Sequence, residues 1–263
     1  MIGIIIKGGL CNQLFMLFAG ISYAIDNSID YFIYPTLIAK NYFDNFLKEI
    51  NNKVNTSLDI YNGKYNEPNF HYNKIPVQNN IIIEGFYQSE KYFKHNYNKI
   101  IDILKIKEKR NLIKNNYPDD YFNNTIAIHF RIGDYYGLQY NHPILKLEYY
   151  KNALIYLNSI NDITNYKKII FCQECDKYII DQYLKFFNLS NIIKIDHAIS
   201  DYDQLLIMSL CTNFIISNST FSWFGAYLSN NNNKIVCYPS KWFGEGLKHN
   251  NTCDLCPLEW IKI

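Results

Sequence analysis

The chain has 263 residues, 48% of them hydrophobic and 19% charged, enough apolar side chains for a core in each of two modest domains. Its 26 basic and 24 acidic residues leave a formal net charge of +2 and no long basic stripe, so no nucleic acid is expected as a partner. The opening apolar run is cut by Lys7 and two glycines, and no stretch approaches ~20 continuous apolar residues, so neither a signal sequence nor a transmembrane segment is expected. Seven cysteines without a secretory signal point to free thiols and a cytoplasmic protein rather than a disulfide framework.

Residues 3–6 read as a short buried strand, Gly8 and Gly9 as a turn, and residues 12–25 as a helix with Leu14, Phe15, Phe18, Ile21 and Ile25 at helical spacing. Residues 41–79 show weak patterning and are expected to be loops with one short helix. A strand follows at 80–84, then a charged amphipathic helix over 100–116 that leads into Tyr117-Pro118-Asp119-Asp120. The domain boundary is placed there, giving domains of 1–120 and 121–263. Further buried strands are expected at 125–129, 168–172, 191–195, 213–217 and 234–238, with helices between most of them. Alternating strands and helices imply parallel βαβ units with ligands beyond the strand carboxyl ends.

Three segments carry candidate chemistry. In Gly8-Gly9-Leu10-Cys11-Asn12-Gln13-Leu14-Phe15, glycines allow close backbone approach and a helix N-terminus behind them favours an anion. By itself this reads better as a tight strand-to-helix turn, since it lacks the P-loop lysine and the dinucleotide-binding spacing. In Ala127-Ile128-His129-Phe130-Arg131-Ile132-Gly133-Asp134-Tyr135, an apolar strand ends in a cluster of His, Arg and Asp. The guanidinium of Arg131 suits a pyrophosphate, while an Arg131–Asp134 surface ion pair is the plainer alternative. In Ile215-Ile216-Ser217-Asn218-Ser219-Thr220-Phe221-Ser222-Trp223-Phe224-Gly225-Ala226, hydroxyls open a helix and can cap it, bind phosphate, or do both.

Together these segments resemble glycosyltransferase family 11, the α-1,2-fucosyltransferases, whose motifs read roughly GGLGNQLF, HxRRGDY and NSTFSWWGAWL. The run from Glu84 to Phe93 is similar to the family's GYFQSEKYF, and Pro239, Trp242, Phe243, Asp254, Leu255 and Trp260 are similar to its terminal PxxWF...DL...W pattern. The matches keep family order along nearly the whole chain.

The resemblance implies an α/β protein of GT-B type, two Rossmann-like domains facing a central cleft. The first would lie on the acceptor side and the second would bind the GDP-sugar, with the C-terminal tail packing back on the first. It further implies an inverting transfer of L-fucose from GDP-β-L-fucose to the 2-hydroxyl of a terminal galactose on a glycan, without a metal or other cofactor. By the same resemblance Arg131 stabilises the leaving β-phosphate and His129 lies against the guanosine. Asn218, Ser219, Thr220, Phe221 and Ser222 sit near the nucleotide, Gly8 and Gly9 also contact the donor, and Asn12 faces the fucose. Asp134 and Glu84 are candidates for the base that activates the acceptor hydroxyl. An α-1,6 linkage, or a GDP- or glycan-binding protein without catalysis, are the alternatives.

Three positions depart from the family pattern. Ile132 stands where the family has a second arginine, and Cys11 replaces a glycine, which argues against a demand for positive φ there. Gln204 occupies the place of an aspartate that binds guanine, so either Asp203 serves by a one-residue shift or the base contact differs. Asp201-Tyr202-Asp203 has the form of a metal-binding DxD motif, but it precedes the apolar run 205–210 and reads better as an acidic first helical turn. The Cys172/Cys175 and Cys253/Cys256 pairs lie too far apart in sequence for an ordinary zinc module.

Overall fold

The computed structural model describes residues 1–57 and 61–263. Contacts divide it into one unit of Met1–Glu108 with Asn250–Pro257 and another of Lys109–His249 with Leu258–Ile263.

The first unit is built on β1 (Ile2–Gly8), whose alternate residues Ile2, Ile4 and Ile6 are fully buried, and on α1 (Leu10–Asp26), which lies almost entirely inside. A strand covered on both faces needs a continuous apolar run, and the sequence 2–6 supplies one. Next come β2 (Tyr31–Ala39), β3 (Gly63–Asn66) and β4 (Ile81–Glu84), all parallel in the order β2-β1-β4-β3. Strand β2 was not expected from the sequence. It carries Pro35, which lacks an N–H for the ladder, and its edge position tolerates that loss. In the segment 41–79, the structure shows a 3₁₀ helix at Lys48–Lys53 and the strand β3; residues 58–60 of that segment lie outside the described residues.

The single helix expected over 100–116 is two helices, α2 (Tyr97–Ile103) and α3 (Ile106–Lys114), separated by Lys105 at φ 50°. Leu104 and Ile106 are both buried. Residues two apart cannot face the same side of one straight helix, so the left-handed turn at Lys105 lets both reach the interior.

The second unit contains β5 (Thr125–His129), α4 (Leu147–Ile160), β6 (Lys167–Phe171), α5 (Lys177–Phe187), β7 (Ile192–Lys194) and α6 (Asp201–Ser209). It continues with β8 (Asn213–Ile215), α7 (Thr220–Tyr227), β9 (Val236–Tyr238) and β10 (Ile261–Lys262). Its six strands are all parallel in the order β10-β9-β8-β5-β6-β7. Followed in chain order, this is the doubly wound 3-2-1-4-5-6 arrangement, and the direction of winding reverses between β5 and β8. Ile126, Ile128, Phe130, Tyr150, Leu157, Ile170, Ile180 and Ile215 form its core.

The chain therefore has two Rossmann-like parallel units of the α/β GT-B type, as the sequence led one to expect. Among the described residues, no helix is long and apolar enough to cross a membrane.

Candidate functional site

In an open parallel sheet, two connections leave in opposite directions at the point where strand order reverses, and a crevice opens beyond the strand ends. In the second unit that point lies at the carboxyl ends of β5 and β8. His129 closes β5, with Arg131 two residues further on, and Ser217 to Ser219 follow β8 into α7.

His129 is buried, and its Nδ1 lies 2.7 Å from the Oγ of Ser217. Its ring sits 5.3 Å from that of Phe221 in a tilted arrangement. Burial, and secondarily the charge of Arg131, hold its pKa down at about 3, so the imidazole is neutral. Ser222 hydrogen-bonds through Oγ to the carbonyls of Ser217 (3.4 Å) and Ser219 (3.3 Å). Ser219 caps α7, its Oγ accepting from the Phe221 amide at 3.4 Å. The capping alternative read from the sequence is thus present, and it fixes a helix N-terminus at the crevice. Thr220 opens that helix.

Arg131 donates through Nη2 to the Oδ2 of Asp134 at 2.7 Å, so the ion-pair alternative is also present. The pair is partly open to solvent, and the buried Nε of Arg131 has no hydrogen-bond partner among the described residues. Gly133 matters by close approach: a Cβ there would stand 2.1 Å from the Oε1 of Gln173, which accepts from the Asp134 amide at 3.2 Å. Ile132, at the place of the family's second arginine, is buried in the core of the unit.

Asn218 is a framework residue. Its Nδ2 donates to the carbonyls of Pro143 (3.0 Å) and Trp242 (3.1 Å), tying two loops to the β8–α7 turn. Asp203 lies in the first turn of α6, its amide and carboxylate both bonded to the hydroxyl of the capping Ser200, at 3.1 and 2.8 Å. This matches the acidic first turn read for 201–203. Gln204 donates to the carbonyl of Ile199 at 2.8 Å.

In the first unit the central strands are β1 and β4. Gly8 has φ +77°, a conformation that suits glycine, and Gln13 pins it by donating to its carbonyl at 2.7 Å. Cys11 lies within α1, so the positive φ of this turn is carried by Gly8. Gly9 is the N-cap of α1 and supplies no side-chain cap. Asn12 accepts at 3.4 Å from Gln88, which brings the glycine turn and the segment after β4 together. Glu84 is clasped by Lys7 and Lys64, and these cations, Lys64 first, hold its carboxyl below the usual range. Burial raises the pKa of Glu67, which accepts from the amides of Phe86 (2.7 Å) and Tyr87 (3.1 Å). Ser217, Gln173 and Glu67 carry parts of these arrangements that spacing did not single out, because their partners are distant in sequence.

Among the described residues, no group of three or more His, Cys, Asp or Glu side chains is arranged to hold a metal ion. Among the described residues, no two cysteines are joined in a disulfide.

Residues 34–262 match the family described as glycosyl transferase family 11. An Escherichia coli protein named O-antigen biosynthesis glycosyltransferase WbnK is 33% identical over 145 residues, covering 53% of this chain and 45% of the relative. A second E. coli relative, named alpha-1,2-colitosyltransferase, is 28% identical over 193 residues, or 68% of this chain and 61% of its own. The chain therefore aligns with about half of the length of these curated relatives. Among solved structures, E. coli ADP-heptose LPS heptosyltransferase II is similar in fold, with a TM-score of 0.53 at 11% identity over 100% of this chain and 90% of that one. The chain belongs to glycosyl transferase family 11.

Proposed function

We propose that the protein is a GDP-sugar-dependent glycosyltransferase that moves L-fucose, with inversion, from GDP-β-L-fucose to a glycan hydroxyl, the 2-hydroxyl of a terminal galactose. The observation that carries this reading is the convergence of His129, Arg131 and the Ser219-capped start of α7 at the strand-order reversal of one parallel sheet. Family membership supports glycosyl transfer, and the α-1,2 linkage is that in the name of one relative.

As GDP departs, negative charge gathers on its β-phosphate and the sugar becomes oxocarbenium-like. Arg131 donates to that phosphate, already held by Asp134, so little reorganisation accompanies the step. Amides at the start of α7, with Ser219 and Thr220, add donors for the anion. His129 and Phe221 offer ring faces to the guanosine, and a histidine held at about 3 carries no charge at neutral pH. Asp203 is the candidate for the base edge. Asn12, Gly8 and Gly9 are assigned to the fucosyl moiety. For the acceptor proton, Asp134 and Glu84 are the candidates, each ion-paired, the first to Arg131 and the second to Lys7 and Lys64.

Transfer from labelled GDP-fucose in a single turnover, against a panel of galactose-terminated glycans and with linkage assigned by NMR, tests this directly. An α-1,2-linked product is expected. An α-1,6 product would correct the linkage, and tight GDP binding without transfer to any acceptor would leave a binding protein. A colitosyl donor in the same assay tests a second reading, favoured by the colitosyltransferase relative, in which the reaction is kept and the sugar differs.

A further inference from the structure

We infer that Tyr135 is a positioning residue for Arg131, setting the guanidinium against the β8–α7 turn. This rests on the GDP-binding reading given above. Among the described residues, Arg131 has one charged partner, Asp134, which is exposed and on the same short loop, so that pair alone cannot fix the guanidinium relative to another strand. Tyr135 supplies the missing link. Its ring lies 5.5 Å from the Arg131 Cζ, within cation–π range. Its hydroxyl donates at 3.0 Å to the backbone carbonyl of Asn218, in the turn that precedes the cap of α7.

The far side of the arrangement is also braced. The imidazole of His142 stacks with the Tyr135 ring at 5.2 Å and 26°, and Phe243 follows at 5.9 Å from His142. Asn218, the residue whose carbonyl receives the Tyr135 hydroxyl, is itself tied to the backbones of Pro143 and Trp242, which adjoin His142 and Phe243. One phenol thus joins the arginine loop to the turn after β8, and both ends of the link are held. A tyrosine is required for this in two respects, an aromatic face for the cation and a hydroxyl for the carbonyl.

GDP affinity, measured by calorimetric titration of the full chain, tests the inference through Tyr135→Phe, Tyr135→Leu, Arg131→Ala and the Arg131→Ala/Tyr135→Leu double variant. Tyr135→Leu is expected to weaken GDP binding by about 2- to 30-fold, the range of a cation–π contact, and Tyr135→Phe by less. In the Arg131→Ala background, Tyr135→Leu should cost nothing further, because the ring acts through the arginine. A loss of equal size in both backgrounds would make Tyr135 a purely structural residue and overturn the inference, as would unchanged affinity in Tyr135→Leu. If Tyr135→Leu melts early, Tyr135→Phe in the two backgrounds carries the same comparison, since it keeps the ring and removes the hydroxyl. A wild-type chain that binds no GDP would overturn the functional reading itself, a result distinct from wild-type binding with indifferent Tyr135 variants.

Discussion

The two sheets place equivalent turns in equivalent positions and give them different chemistry. Each brings a strand-to-helix turn to the carboxyl end of a central strand, Gly8-Gly9 before α1 in one and Ser217-Asn218-Ser219 before α7 in the other. In the first unit Lys7 and Lys64 share the carboxylate of Glu84, and the turn itself offers amides and the Asn12 carboxamide. In the second unit a guanidinium stands beside a hydroxyl-capped helix start, with a neutral histidine and aromatic rings alongside. Topology places both turns, side chains decide which one suits a nucleoside diphosphate, and we propose that they favour the second.

The comparison can be broken most sharply at Arg131. Removing a donor aimed at developing charge costs about 10²–10³ in rate, so Arg131→Ala should lower single-turnover transfer by that factor. Its stability should change by under about 1 kcal/mol, since the Asp134 pair is partly solvated. Asn12→Ala, the corresponding change in the first unit, should cost less in rate. Equal losses would erase the asymmetry.

Ser217→Ala should come next. It strands the Nδ1 of the buried His129, and an unpaired buried polar group costs about 1–3 kcal/mol, readable by urea denaturation.

A further effect concerns pH. The folded pKa of His129 is depressed to about 3 from an ordinary 6.5, so the unfolded chain takes up its proton first on acidification. Its contribution to stability is complete above about pH 6.5 and is lost progressively as pH falls toward 3. The stability difference between wild type and His129→Gln should therefore vary across that window and be flat above it. A constant difference would show that His129 titrates normally.

The smallest effect is expected at Glu84→Gln, which should change stability by less than about 1 kcal/mol. A loss of transfer comparable to that of Arg131→Ala would make Glu84, rather than Asp134, the base.

The parts of this architecture that were legible share a simple cause. β1, β5 and β8 are central strands covered on both faces, so they appear as continuous apolar runs that end where polar residues begin. That same ending exposed the candidate site, because in a parallel sheet ligands sit beyond it. β2 was hidden by Pro35, which reads as a strand breaker unless the strand is known to be at an edge. The break at Lys105 was hidden because a left-handed lysine leaves no compositional mark. Ile132 was legible as a departure from the family, but not its burial in the core. The Tyr135 link was invisible for a different reason: its partners are Asn218 and, through His142, Phe243, and no local pattern joins residues so far apart.

The central claim is that the second unit holds the nucleotide. Hydrogen–deuterium exchange of the full chain with and without saturating GDP tests it most directly. Slower exchange at the amides of residues 130–135 and 217–224, with little change at 8–14, is the predicted result. Protection confined to 8–14, or no protection in either region despite saturation, would contradict it.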